Sequence, residues 1–126
     1  MAVSEGFREY ALEQLGQVAS VTARSMFGGV GIYAGGLFFA LMDDDTLYFK
    51  VDAANRDDYV RRGMGPFMPF GEGSGAMQYY EVPAEVLEDS EALREWVARS
   101  LAVARRAKAK SGGKRAGRAG AKKRKA

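Results

Sequence analysis

The sequence predicts an α+β domain of two layers, in which helices cover one face of a five-stranded antiparallel sheet in the order αβββαββα. Three observations carry this expectation. Apolar residues recur at helical spacing near both ends of residues 1–104, whereas residues 18–51 form short β-branched and aromatic runs separated by turn residues. A chain of 126 residues that is 47% hydrophobic and 28% charged suits one packed domain with a tail.

Taken in order, Phe7, Tyr10, Ala11, Leu15 and Val18 follow an amphipathic period, with Ser4 as N-cap, and predict a helix over residues 4–15 that closes near Gly16. Strands are expected near 22–33, 37–42 and 46–51. Gly35-Gly36 suits a type I′ hairpin, whose central positions both need φ > 0, and Asp43-Asp44-Asp45 supplies the next turn. Gly28-Gly29 inside the first strand reads as a bulge or sharp bend. In residues 46–51, Leu47, Phe49 and Val51 point to one face, Tyr48 and Lys50 to the other. Asp52 caps a short helix through Asn55, Tyr59 and Val60 that stops at Gly63. Residues 65–75 are loop-rich, with an extended piece around 67–70, and 77–82 is a further strand. Pro83 opens a single turn through Val86 and Leu87. Ser90 caps the final helix, which carries Leu93, Trp96, Val97, Leu101 and Ala104 on one stripe.

The formal charge of +3 averages two opposite segments. Residues 1–104 hold 8 basic and all 16 acidic residues, a net of −8, while residues 105–126 hold 11 basic residues and no acid. Such asymmetry marks an interaction tail on an acidic body. The tail offers nothing larger than Ala to bury, so a largely disordered segment is expected from about Lys110. Eleven cations without acids suit sequence-independent contact with a phosphate backbone, so the candidate nucleic-acid-binding residues are Arg105, Arg106, Lys108, Lys110, Lys114, Arg115, Arg118, Lys122, Lys123, Arg124 and Lys125. The competing reading is a solubilising tail, or one that folds back on the acidic body.

Absence of Cys and His removes disulfides, thiol nucleophiles, imidazole chemistry and Cys/His zinc sites. Gly28-Gly29-Val30-Gly31 lacks the Gly-Lys-Ser/Thr ending of a phosphate loop and precedes a strand, and Gly71-x-Gly73-x-Gly75 also enters a strand. Three consecutive aspartates in a tight turn cannot all face one cation, which favours a solvated turn at Asp43 to Asp45. Alternation puts Tyr79 and Glu81 on one face and Tyr80 on the other, so these with Lys50 do not form one acid-base group. No enzyme activity, catalytic residue, metal site or cofactor is expected. No apolar run approaches the roughly 20 residues of a membrane helix, and the first residues lack the basic start of a signal peptide, so a cytoplasmic place is expected.

The strings MFGGVGIY (26–33), LYFKVD (47–52) followed by Asn55-Arg56, and YYEVPAEVLED (79–89) resemble, in this order and spacing, the N-terminal domain of the TfoX (Sxy) family of bacterial competence regulators. The likeness spans about residues 5–105. It implies a small secretion-chaperone-like α+β domain, with Phe27, Gly28, Gly29, Tyr33, Tyr80 and Pro83 as fold determinants and no catalytic residues to carry over. It implies a regulatory role as well: competence regulators of the family act with the cyclic-AMP receptor protein at promoters and carry a second, helical domain, whose place here is taken by the basic segment.

The expected function is therefore a regulatory module that binds a transcription-related protein partner and gains nonspecific DNA or RNA affinity from its tail. The alternative is a chaperone-like or scaffold module that binds protein without nucleic acid. A homodimer is expected too, because Phe38, Phe39, Tyr48, Phe67 and Phe70 exceed what one small core buries.

Overall fold

The structure, a computed structural model, describes residues 3–26, 28–68 and 78–120, with side chains in the last helix as far as Ala109. Its elements are α1 (Glu5–Gly16), β1 (Thr22–Met26), β2 (Gly29–Ala34), β3 (Leu37–Asp43), β4 (Thr46–Lys50), α2 (Arg56–Val60), β5 (Tyr79–Glu81), α3 (Ala84–Glu88) and α4 (Ser90–Gly120). The five strands form one antiparallel sheet in sequential order β1-β2-β3-β4-β5, with the helices against one face. The α+β architecture expected from the sequence is thus the one observed.

Local chemistry accounts for the connections. Gly35 and Gly36 have φ of 56° and 79°, as a type I′ turn demands, and Asp44 and Asp45 adopt the same hand at 52° and 55°. Aspartate tolerates this region better than most residues, and Asp45 Oδ1 is further held by the Ser4 N–H at 2.6 Å. That bond ties the β3–β4 hairpin to the start of α1, where the Ser4 hydroxyl accepts from the Phe7 N–H.

Residues 22–33, read from the sequence as one strand bent at Gly28-Gly29, are two strands. Met26 pairs with Gly29, and Gly28 sits between them with φ 81°, so the glycine pair turns the chain back on itself. A true bulge lies one strand further on, where Ile32 pairs with Ala40 but Tyr33 with Phe38, leaving Phe39 as the extra residue. Phe39 and Ala40 consequently both enter the helix-side core, and both are fully buried. Part of the expected stretch at 67–70 does run beside the sheet, since Pro66 bridges Tyr80 and the Phe67 N–H donates to the Tyr79 carbonyl at 2.8 Å.

The core forms where α1, α3 and α4 cover Val30, Ile32, Met42, Leu47, Phe49 and Val51. Leu15 of α1 and Leu93 of α4 are completely buried against them. The cap of α4 is Asp89, whose carboxylate accepts from the Glu91 and Ala92 N–H groups, where the sequence had suggested Ser90. Pro83 occupies the N-cap position of α3 instead of its first helical position. Past Ala104 the basic segment continues α4, which is helical through Gly120. Ala, Lys and Arg all have high helix propensity, so the change of composition after Ala104 does not itself break a helix already nucleated on the body. Phe27, Phe70, the Gly71 to Gly75 repeat and Lys122 to Lys125 lie outside the described residues.

Candidate nucleic-acid interface

The direction in which α4 leaves the body is set at the C-terminal end of β4. The Lys50 carbonyl accepts from the Ser100 hydroxyl at 3.0 Å and from Asn55 Nδ2 at 3.3 Å. Both donors are buried, so each needs a partner, and this one carbonyl ties α4 and the start of α2 to the sheet. One turn and a half further along α4, Arg106 Nε and Nη2 donate to Asp52 Oδ2 at 3.2 and 2.9 Å. Asp52 Oδ1 accepts the Ala54 N–H at 2.9 Å within the turn that leads into α2, whose N-cap is Asn55 where the sequence had suggested Asp52. Burial alone would raise the Asp52 pKa, but the Arg106 hydrogen bond, the Ala54 N–H and the charges of Arg106 and Arg56 outweigh it and hold the carboxyl below its ordinary range. The first cations of the basic segment are therefore not equivalent: all are exposed, but Arg106 is paired with Asp52 of the acidic body, whereas Arg105 and Lys108 have no ion pair among the described residues.

Lys110, Lys114, Arg115 and Arg118 follow on the same helix, and at 1.5 Å per residue the 105–120 stretch is about 24 Å long. Duplex DNA presents one negative charge per ~1.7 Å of axis, so an arm of this length can lie along several phosphates. Neither Asp52 nor Ser100 was singled out as a partner of the arm by sequence reasoning. Ser100 had a signal, since it sits on the apolar stripe with Trp96, Val97 and Ala104, where a hydroxyl must find an acceptor.

A second charged surface lies between α2 and α4. Asp58, Arg61, Arg62, Glu95, Trp96 and Arg99 line a shallow, open cleft. Arg99 pairs with Asp58 and Glu95, Arg61 with Asp58 at 2.7 Å, and Arg62 with Glu85 at 3.0 Å while lying over the Trp96 ring. These cations are matched within the chain, and neither Glu81 nor Asp45 lines the cleft. Asp43 to Asp45 form the β3–β4 turn, with Asp45 holding Ser4.

The sheet face away from the helices bears two groups of aromatic rings. Tyr33 stacks on Phe38 at 5.1 Å, Phe38 meets Tyr79 at 5.6 Å, and Tyr48 meets Phe67 at 4.9 Å. Arg24 lies over Tyr33 and Lys50 over Tyr79. Burial lowers the Lys50 pKa and raises that of Tyr79 to about 12. Tyr79 and Glu81 share this face, and Tyr80 packs toward Tyr59 on the other, as strand alternation predicts. Of the aromatic set that suggested a dimer, Phe39 is core, whereas Phe38, Tyr48 and Phe67 belong to this outer layer.

Among the described residues no helix is long and apolar enough to cross a membrane. Comparison with known families gives one finding: the family profile described as TfoX N-terminal domain matches residues 13–104, from α1 to the last core residue of α4. No curated protein matches the chain.

Proposed function

Because the chain belongs to the TfoX N-terminal domain family, we propose that it is a non-catalytic regulatory module of the transcription or competence type, which binds a protein partner in the cytoplasm while its basic arm holds it to DNA or RNA. The observation that carries the reading is the division of charge, an acidic body from which α4 leads straight into a segment of 11 cations and no acid. Contacts of this kind release counterions, so affinity depends on salt and not on base sequence.

The test is fluorescence anisotropy of a duplex of arbitrary sequence titrated with the full chain at several salt concentrations. With ~6 phosphates contacted, log K falls against log salt with a slope of about −5.4. A variant carrying Lys114→Gln, Arg115→Gln and Arg118→Gln removes three of those contacts and lowers the slope by about 2.7. Between 50 and 200 mM salt, the full chain then loses about 2000-fold in affinity and the variant about 40-fold. Equal slopes for the two proteins would refute a role for the arm and favour a scaffold module that does not use nucleic acid.

A further inference from the structure

An antiparallel sheet usually packs one face on a core and leaves the other polar. This sheet is apolar on both. Beyond the helix-side core, Tyr33, Phe38, Leu41, Tyr48, Phe67 and Tyr79 form the second layer, in which Leu41 and Tyr79 are buried and the other four rings are half-buried, and among the described residues no helix covers it. Met26 joins them, its Cε and Sδ filling the space over Gly31 where a side chain would stand. Tyr33, Phe38, Tyr48 and Phe67 each keep part of a ring open to solvent, apolar area that a second surface laid on this face would cover.

The charges on this face decide its occupant. Arg24 sits on β1 at one edge of the sheet, opposite Gly31, which pairs with Leu41, which pairs with Tyr48, which pairs with Glu81 on β5, the last of the five strands, flanked on its far side by residues 65–67. Arg24 and Glu81 thus lie in one row across the sheet, at its two ends, and both are exposed without an ionic partner among the described residues. A two-fold axis parallel to the strands and running above β3 lays β1 of one copy over β5 of the other. Arg24 then faces Glu81 of the second copy, and Glu81 faces its Arg24, an isologous arrangement with both pairs made at once. Stacked sheets are ~10 Å apart, a gap that an arginine and a glutamate side chain span together. A polyanion fits the face less well, because Glu81 and Asp43 would oppose it as much as Arg24 and Lys50 attract it.

We propose that the outer face of the sheet is a homodimer interface, a face-to-face sandwich in which Arg24 of each copy pairs with Glu81 of the other around an aromatic centre. The dimer presents two basic arms, which adds avidity on a long nucleic acid without new contacts. The inference does not depend on the arm binding nucleic acid, since its readout is mass.

Sedimentation velocity and light scattering on the full chain test it. The expected mass is twice the 13.7 kDa of the chain. Arg24→Glu and Glu81→Arg, each alone, weaken the dimer by about tenfold or more, because like charges meet at two symmetric places. The double exchange R24E/E81R restores it. The native chain has no cysteine, so R24C and E81C proteins mixed in equal amounts are joined by a short bis-maleimide. Within one copy these positions are four strand spacings apart, about 19 Å, beyond the reagent's reach. Ser25→Cys, one residue along β1 and on the opposite face, gives no such product with E81C. A monomeric native chain, an R24E dimer as tight as the native one, or a double exchange that stays monomeric would overturn the proposal. Loss of nucleic-acid affinity in R24E at unchanged mass would also overturn it and assign the face to nucleic acid.

Discussion

Replacing Gly29 by alanine probes the tightest backbone approach in the sheet. A Cβ at Gly29 would lie well inside 3.0 Å of the Met42 carbonyl oxygen, a distance that real Cβ atoms do not show. The obstacle is backbone, and Met42 belongs to the β2–β3 pairing through its partner Val30. Relief therefore requires the two strands to part by a fraction of an ångström, which disturbs Val30 and Met42 in the core. Overpacking of this kind costs about 2–3 kcal/mol. For a domain near 100 residues, each kcal/mol lowers Tm by about 4–8 °C, so Gly29→Ala is expected to melt about 8–24 °C below the native chain.

Gly31→Ala is the matched comparison. Its Cβ would meet Met26 Cε at 2.9 Å, Met26 Sδ at 3.0 Å and Phe38 Cε1 at 3.2 Å, all side-chain atoms on the outer face. Methionine has three rotatable bonds and yields readily, so the loss should stay below about 1 kcal/mol. The assay is thermal unfolding followed by circular dichroism, with all proteins at one concentration because a dimer makes Tm depend on it. A Gly29→Ala protein melting within about 3 °C of the native one, or a Gly31→Ala protein melting below it, would refute the reasoning.

Two further outcomes follow from buried polar groups and helix ends. Burial lifts the phenols of Tyr79, to about 12, and of Tyr59, further still, above their ordinary value near 10. A group whose folded pKa is raised contributes stability that is complete below the unfolded pKa and is lost as pH rises toward the folded one. Tm should thus fall steadily between about pH 10 and 12. Near-UV absorbance should then show Tyr59 and Tyr79 ionising after the other tyrosines; simultaneous ionisation of all six below unfolding would contradict this. Lys50, lowered by burial, acts in the opposite direction, but as one group against three, since burial also raises the Tyr48 phenol. At the start of α4, Asp89→Ala should cost about 1 kcal/mol by removing the cap, whereas Ser90→Ala should change stability by less than about 0.5 kcal/mol; the reverse ranking in urea melts would return the cap to Ser90.

Much of the fold was legible because the deciding physics is local. Ser4 caps α1, Gly35-Gly36 turn by a type I′ geometry, and Leu47, Phe49 and Val51 face the core by strand alternation; each depends on residues within a few positions. Gly28 was harder to read. A glycine pair in a β-rich run suits a bulge or a reversal equally, and the pairing of Met26 with Gly29 is what selects the reversal. Asp89 and Ser90 are both good caps, and which carboxylate or hydroxyl reaches the free N–H groups depends on how α3 ends.

The chain's own composition determines that an acidic, cysteine- and histidine-free α+β domain leads into a basic arm, and its strings place it in its family, because charge, periodicity and turn chemistry are written along the sequence. Only the tertiary structure decides that Ser100 and Asn55 share the Lys50 carbonyl, that Arg106 pairs with Asp52 while Arg105 and Lys108 make no ion pair among the described residues, and that Arg24 and Glu81 lie in one row across the sheet. Except for Asn55, which is five positions from Lys50, those relations join residues about 50 or more positions apart, or cross five strands, and they exist only once the sheet's register has brought distant parts of the chain together.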